Sequence, residues 1–360
     1  MAIDSQVHAM LQRGVAIPAC PLALDSERRW DQRRQRALLR YYLEAGVGGL
    51  AIGVHTTQFA IRDPRHGLFK PLLQLAAEEM QRADRRPGKP LVRIAGVCGA
   101  TAHATVEAEL IRELGYHAGL LSLAALPHAT EDTLIDHCRA VAAILPVVGF
   151  YLQPSVGGRV LPLSFWRRFV EIENVVAIKI APFNRYHPLD VVRAVVDAER
   201  DDVALYTGND DNIVADLLTP FRFRTTRGLR ERRIVGGLLG QWAVGTRGAV
   251  DLLEQCHRII ADSGRVADGR TVSSAEMLRL GVEVTDANAA VFDAANRFAG
   301  CIAGVHEVLR LDGLLEGIWC LDPRETLGPG QAAEIARVRR EYPHLFDEAF
   351  IRENVDRWLA

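Results

Sequence analysis

Lysine is nearly absent from this chain of 360 residues. Its 43 basic residues are 40 arginines and only three lysines, Lys70, Lys89 and Lys179. Lys70 and Lys89 each precede a proline in a polar or glycine-flanked context, so we expect both to be exposed. Arginine stays charged in proteins, whereas a lysine can lose its proton and act as an amine. A lysine that is retained inside an apolar segment, as Lys179 is, is therefore a candidate for amine chemistry.

Long apolar runs are missing too. None approaches the roughly 18 residues that a membrane span needs, and residues 1–13 lack the basic start and apolar stretch of a signal peptide. The six cysteines are scattered without a C-x-x-C pair, which predicts buried thiols in a reducing, cytoplasmic setting. A net charge of −2 gives no overall attraction to nucleic acid or anionic membranes, so neither is expected as a partner.

Several motifs that would indicate a cofactor, a metal site or a known catalytic nucleophile are also missing. The sequence has no H-E-x-x-H, no Cys/His cluster with metal spacing, no Walker A motif, no G-x-S-x-G and no dinucleotide fingerprint. We therefore predict no metal site and no organic cofactor.

What the chain does contain is a regular alternation of short apolar runs and longer amphipathic stretches. The runs are rich in Val, Ile, Leu and Ala, as strands buried on both faces of a parallel sheet are. Eight such runs occupy residues 14–18, 49–53, 91–97, 119–123, 146–152, 175–180, 203–207 and 234–239. Helical stretches between them are predicted at residues 27–44, 68–82, 104–114, 130–143 and 188–199. Eight consecutive units favour an α/β fold of the (β/α)₈ TIM-barrel type over the alternative, a doubly wound sheet.

Beyond about residue 255 the pattern changes to helices, predicted over residues 270–311 and 331–359. We therefore divide the chain into a catalytic barrel, residues 1–255, and a helical annex packed on it, residues 256–360. One charge run, Arg222–Arg233, holds six arginines between the last two barrel strands. It has two interpretations: a solvated surface insertion, or a phosphate or carboxylate clamp near the barrel mouth.

Lys179 lies within the apolar run of the sixth predicted strand. Burial disfavours an ammonium ion and lowers its pKa, which leaves a neutral amine that attacks carbonyl groups. The alternative is a lysine that reaches a polar neighbour at the strand end.

Three other segments at the ends of predicted strands contribute candidate site residues. Tyr151 lies near the end of the fifth strand, one unit before Lys179, and could shuttle protons if the two converge on one face of the barrel. His55, Thr56 and Thr57 follow the second strand and could bind a carboxylate. Gly208 follows the seventh strand and would let a ligand approach the backbone.

The strand with Lys179, the Tyr151-x-x-Pro154 strand end, the Thr56-Thr57 loop and the Gly208-Asn209-Asp210 turn resemble the dihydrodipicolinate synthase / N-acetylneuraminate lyase family. The resemblance runs over essentially the whole chain. It implies a (β/α)₈ barrel, commonly a homotetramer, that joins or cleaves a bond to pyruvate or a related 2-oxo acid. It further implies that Lys179 forms the imine, that Tyr151 relays protons and that the glycine after the seventh strand is Gly208.

The chain departs from the family pattern at several positions. An ungapped match places Val54 and His55 under the family's two threonines, whereas a two-residue insertion restores Thr56 and Thr57. The arginine that binds the second substrate in dihydrodipicolinate synthases is replaced by Val156, with Arg159 three residues later. The tyrosine expected near residues 125–127 is missing. These departures predict retained imine chemistry on a different second substrate.

The sequence therefore predicts a lyase or synthase of class I aldolase type, a small-molecule enzyme that is a dimer or tetramer of identical chains. Cleavage, condensation and dehydration share one enamine and stay open. The alternatives are a sugar-acid dehydratase on the same scaffold and a barrel that binds 2-oxo acids without turnover.

Overall fold

The computed structural model describes residues 3–84, 90–261 and 272–360. Its centre is a parallel sheet of eight strands in the order β1-β10-β7-β6-β5-β4-β3-β2. The sheet closes where Ala19, just after β1, pairs with Ala51 of β2. The eight strands are β1 (Ala16–Pro18), β2 (Gly49–Ile52), β3 (Val92–Val97), β4 (Ala118–Leu121), β5 (Val147–Leu152), β6 (Val175–Ala181), β7 (Ala204–Thr207) and β10 (Gly236–Leu239). The predicted (β/α)₈ barrel is confirmed, and each of the eight apolar runs overlaps one of its strands, with bounds that differ by one or two residues.

Helices follow the strands and form the outer layer. After an initial helix, α1 (Ser5–Arg13), they are α2 (Gln32–Glu44), α3 (Phe69–Asp84), α4 (Thr101–Glu113), α5 (Glu131–Ala142), α6 (Leu163–Phe169), α7 (His187–Asp197), α8 (Ile213–Leu218) and α9 (Thr246–Ile260). Helix α2 begins five residues later than predicted because Asp31 caps it, accepting a 3.0 Å hydrogen bond from the N–H of Arg34. Within the described residues, no helix combines the length and apolar composition that crossing a bilayer requires.

The strands are buried on both faces. Inward side chains such as Ile17, Ile94 and Val148 form the barrel interior, and α1 covers its amino-terminal end with Val7 and Leu11. Outward side chains pack in a larger cluster against the helices. Because both faces are apolar, polar groups are confined to the strand ends, where the site is built.

The C-terminal region consists of α10 (Ser274–Val291), α11 (Cys301–Leu311), α12 (Gln331–Glu341) and α13 (Glu348–Leu359). Helix α10 packs on α8, and α13 packs on α2. The predicted helices over 270–311 and 331–359 are each divided into two by turns. Helix α9 runs across the position of the predicted boundary between residues 255 and 256.

The arginine run folds into an antiparallel hairpin of β8 (Phe221–Thr225) and β9 (Gly228–Arg232). Arg230 pairs with Asp201 at 3.0 Å, and Arg227 pairs with Glu199. Both carboxylates precede β7, so the hairpin lies at the amino-terminal end of the barrel, opposite the mouth. The clamp interpretation is therefore wrong, and the position fits a solvated surface insertion.

Candidate active site

A cavity of about 60 Å³ lies at the carboxyl ends of the barrel strands. Its lining comes from both parts of the chain. The barrel contributes Ala19, Val54, His55, Thr56, Phe150, Leu152, Gln153, Val156, Lys179, Ala181, Phe183, Gly208, Asp210 and Gly240, and the annex contributes Phe292, Phe298 and Cys301. The size suits a molecule of a few heavy atoms, since a single water occupies roughly 10–15 Å³ on this measure.

Lys179 projects from β6 into this cavity and is only 8% exposed. Its Nζ lies 4.6 Å from the centre of the Phe150 ring on the neighbouring strand β5. Burial lowers the pKa of Lys179 to about 8, and the nearby carboxyl of Asp210 opposes that shift. An appreciable fraction of this amine is therefore neutral near physiological pH. By contrast Lys70 is exposed, as predicted, and Lys89 lies outside the described residues.

Gly208 makes room for the lysine side chain. A Cβ atom at this position would lie 2.5 Å from Lys179 Cε and 2.8 Å from Ala181 Cβ, which is closer than real Cβ contacts come. The N–H of Gly208 donates a 2.7 Å hydrogen bond to the carbonyl of Ile180, which fixes the turn against β6. The need for glycine here thus comes from the lysine itself.

Asp210 is a site residue that the sequence argument did not single out. It is 5% exposed, and its Oδ1 accepts a 2.8 Å hydrogen bond from the N–H of Gln241. Burial raises the pKa of Asp210 to about 7, although that hydrogen bond and the neighbouring Lys179 lower it. A carboxyl and an amine that both exchange protons near neutral pH therefore share one cavity. Asp210 belongs to the Gly208-Asn209-Asp210 turn that the sequence argument did identify. Aspartate is so frequent in turns that its presence there does not by itself predict a functional residue.

The loop after β2 places two of its three predicted residues in the cavity. His55 and Thr56 line it, and Thr56 Oγ1 donates a 2.8 Å hydrogen bond to the carbonyl of Ala19. Burial, and next the charge of Lys179, lower the pKa of His55 to about 4, so the ring is neutral at pH 7. Thr57 lies behind the lining. Its Oγ1 accepts from the N–H of Gly53 at 3.0 Å and donates to the carbonyl of Cys20 at 2.7 Å.

The structure does not bring Tyr151 and Lys179 together. Successive side chains of β5 alternate, so Phe150 and Leu152 line the cavity while Tyr151 faces the helices. The Tyr151 ring stacks on His187 at 5.4 Å, and its oxygen accepts a 3.2 Å hydrogen bond from the N–H of Leu161. Burial raises the pKa of Tyr151, which favours the neutral phenol. The predicted convergence is therefore corrected: Tyr151 is placed as a packing residue.

Replacing Tyr151 with phenylalanine tests this placement. The change leaves the Leu161 N–H without its acceptor, so the free energy of unfolding should fall by about 1–3 kcal/mol in denaturant titrations. The rate at which the protein forms a reducible adduct with pyruvate should stay the same, since no cavity group changes. A rate loss of about 10²–10⁴-fold, typical of a missing general acid–base, would restore Tyr151 to the relay.

Arg159 is also outside the cavity lining. Its guanidinium donates to the carbonyls of Leu126 at 2.8 Å and Ala129 at 3.1 Å, tying together the loops that follow β4 and β5. Val156 does line the cavity. By the resemblance described above, this is the position of the arginine that binds the second substrate in dihydrodipicolinate synthases. The substrate-binding role predicted for Arg159 is thus not supported by its position.

Comparison with known proteins gives matches of sequence and of fold. The sequence model of the dihydrodipicolinate synthetase family matches residues 16–220. A 4-hydroxy-tetrahydrodipicolinate synthase of Persephonella marina is 26% identical over 187 residues, which cover 50% of this chain and 58% of that protein. The match to this relative thus spans little more than half of its length.

Two solved structures illustrate the likeness of fold. Dihydrodipicolinate synthase from Oceanobacillus iheyensis superposes with a TM-score of 0.72 at 14% identity, over 94% of this chain and 99% of the other. N-acetylneuraminate lyase from Fusobacterium nucleatum complexed with pyruvate gives 0.68 at 15% identity, over 92% and 98%. At such identities the superposition speaks for the fold alone.

Proposed function

The chain belongs to the dihydrodipicolinate synthetase family, and on this premise we propose that it is a Schiff-base lyase or synthase of class I aldolase type. Lys179 forms an imine with pyruvate or a related 2-oxo acid. The observation that carries the proposal is a buried lysine amine, with its pKa lowered to about 8, in a cavity at the carboxyl ends of the barrel strands. Active sites of this fold lie at that end.

The first step is attack of the neutral Nζ on the ketone carbon, which gives a carbinolamine and then, with loss of water, an iminium ion. The positive nitrogen accepts the electron pair of an adjacent C–H or C–C bond, so an enamine forms. We place the carboxylate of the 2-oxo acid on backbone N–H groups of the turn of residues 54–57, because the Thr56 hydroxyl already donates its proton to the carbonyl of Ala19. The missing side chain at Gly208 leaves the ketone carbon open to the amine.

Protons must move at each of these steps, and we assign their transfer to Asp210. Its carboxyl lines the same cavity as Lys179, and a pKa of about 7 makes it both a usable acid and a usable base near neutral pH. Gln241 holds one carboxyl oxygen through its N–H, and Asn288 of α10 donates to the Gln241 side chain at 3.1 Å. The carboxyl is thereby fixed in orientation. His55, with its pKa near 4, serves as a neutral hydrogen-bonding ring.

Trapping of the imine tests the proposal. Incubation with pyruvate and borohydride should add one reduced pyruvate unit to the peptide that contains Lys179, and none to the exposed Lys70, which serves as an internal control. The trapping rate should rise with pH and level off above about pH 8, because only the neutral amine attacks and its pKa is about 8. An unperturbed lysine would need a pH near 10.4.

The outcomes separate the proposal from its alternatives. Absence of any adduct with pyruvate and a panel of 2-oxo acids would refute imine chemistry. An adduct without turnover of any aldol or sugar acid would indicate a binding barrel. Loss of water without C–C cleavage or formation would indicate a dehydratase.

A further inference from the structure

Aromatic rings form a large part of the cavity wall. Phe150 and Phe292 are buried in it, each 6% exposed, while Phe183 and Phe298 stand half-buried at its mouth. Four of the chain's 12 phenylalanines therefore meet at one cavity. Leu152 and Val156 extend the same apolar surface. The part of the cavity wall that these six residues form is thus suited to an apolar group rather than to a polyol, whose hydroxyls would find no hydrogen-bond partner among their side chains.

The charges around the cavity also favour an uncharged second reactant. Of the described residues that line it, Lys179 is the only one with a cationic side chain, and it is used for the imine. Val156 is uncharged, and the guanidinium of Arg159 donates hydrogen bonds to the carbonyls of Leu126 and Ala129. Asp210 places negative charge in the cavity whenever it is ionised. A second reactant with its own carboxylate would find no cation to pair with, and ionised Asp210 would repel it.

The two rings at the mouth are fixed in place by their backbones. Phe183 and Phe298 have φ angles of 51° and 67°, a left-handed conformation that is uncommon for a bulky side chain. Each is held by a hydrogen bond from its own N–H, to Asn209 Oδ1 at 3.0 Å and to the carbonyl of Asp293 at 2.9 Å. The rings meet edge to face at 5.8 Å. Conformations of this kind persist where the surrounding structure enforces them, often at binding sites.

We infer that the second reactant of this enzyme is an uncharged aromatic aldehyde, with its ring packed against Phe183 and Phe298 and its carbonyl directed towards Lys179. The inference rests on the proposed imine at Lys179. A cavity of about 60 Å³ holds the pyruvate unit, so the aromatic ring occupies the half-buried mouth. Edge-to-face and offset contacts with the two phenylalanines give the ring a defined orientation.

In the synthetic direction, C3 of the enamine forms a bond to the aldehyde carbon. The aldehyde oxygen takes a proton and becomes a hydroxyl, and water then hydrolyses the iminium, returning the amine of Lys179. One pyruvate and one aldehyde give one 4-hydroxy-2-oxo acid with no net loss of atoms and no redox change. The cleavage direction is the same sequence reversed.

The test compares aldehydes at a fixed pyruvate concentration, after the borohydride adduct on Lys179 has been established. Benzaldehyde should be condensed with a higher kcat/KM than glyoxylate, which carries a carboxylate, or glyceraldehyde, which carries hydroxyls. Phe183→Ala and Phe298→Ala should each lower kcat/KM for benzaldehyde by about tenfold, as the loss of an aromatic pair does. Val156→Arg should move the preference towards glyoxylate. Phe223→Ala, a matched change on the β8–β9 hairpin, should leave all rates as they are.

The outcomes distinguish this inference from the function it rests on. If the adduct forms but glyoxylate or glyceraldehyde is the better substrate, or if no aldehyde reacts in either direction, the aromatic assignment is overturned while the imine stands. The same holds if benzaldehyde reacts but neither phenylalanine variant slows it. If no adduct forms, both proposals fail.

Discussion

Replacing Lys179 with methionine should eliminate the borohydride-trapped pyruvate adduct and lower turnover on the order of 10⁶-fold, the size of loss seen when a covalent enzyme is deprived of its attacking group. Methionine has a similar length and no charge, so it fits between Phe150, Ala181 and the space left by Gly208. It removes the amine without creating a large cavity. Mass spectrometry of the trapped protein and a turnover assay measure the two effects.

The control is Lys70→Met, at an exposed position on α3. This variant should form the adduct at the same rate as the unaltered protein. Both variants should unfold cooperatively, with melting midpoints close to that of the unaltered protein, because neither removes a hydrogen bond between described residues. Persistence of a trapped adduct in Lys179→Met would show that another amine carries the chemistry.

Replacing Asp210 with asparagine should lower the rate of imine formation about 10²–10⁴-fold, the usual contribution of a positioned general acid–base. The amide keeps an acceptor for the N–H of Gln241 and nearly the same shape, so the turn after β7 should survive. Because ionised Asp210 raises the pKa of Lys179, its removal should also move the midpoint of the pH–rate profile below about 8. A slower rate combined with an earlier midpoint is the expected signature.

Asp211→Asn is the matched control. Asp211 neighbours Asp210 in sequence but forms a partly exposed ion pair with Arg185 instead of lining the cavity. Its charge contributes only a minor part of the raised pKa of Asp210, after burial, the Gln241 hydrogen bond and Lys179. Its substitution should therefore leave the pH midpoint of Lys179 in place and change the trapping rate far less than Asp210→Asn does. If the two variants behaved alike, the effect of Asp210 would be structural, and the proton carrier would have to be sought elsewhere.

Much of the fold was predictable because strands buried on both faces produce continuous apolar runs, and eight such runs stood apart in the sequence. Lys179 was predictable for a related reason, since a lysine within such a run has a strong desolvation cost and stands out against it. Because both faces of β5 are apolar, hydrophobicity does not show which of its side chains point into the barrel and which point towards the helices. Phe150 and Tyr151 are therefore indistinguishable by hydrophobicity, and the outward face of Tyr151 was missed.

The rest of the site depends on contacts between segments far apart in sequence. Phe292, Phe298 and Cys301 reach the cavity only because the annex packs over the barrel mouth, and no local pattern marks them. The raised pKa of Asp210 likewise follows from burial supplied by other segments, not from the turn that carries it. These features follow from tertiary packing, which a single sequence does not display.

The position of Phe292 and Phe298 has a consequence for how such an enzyme can change. Lys179 and Asp210 belong to the barrel, whereas two of the four aromatic wall residues belong to a segment more than 80 residues further along the chain. Exchanges confined to residues 292–301 could alter which aldehyde is accepted while leaving the reactive lysine untouched. On the proposed mechanism, the residues that carry the reaction and two of those that set the aldehyde preference lie in separate segments. A library of variants restricted to residues 292–301 would then change the accepted aldehyde without altering imine formation.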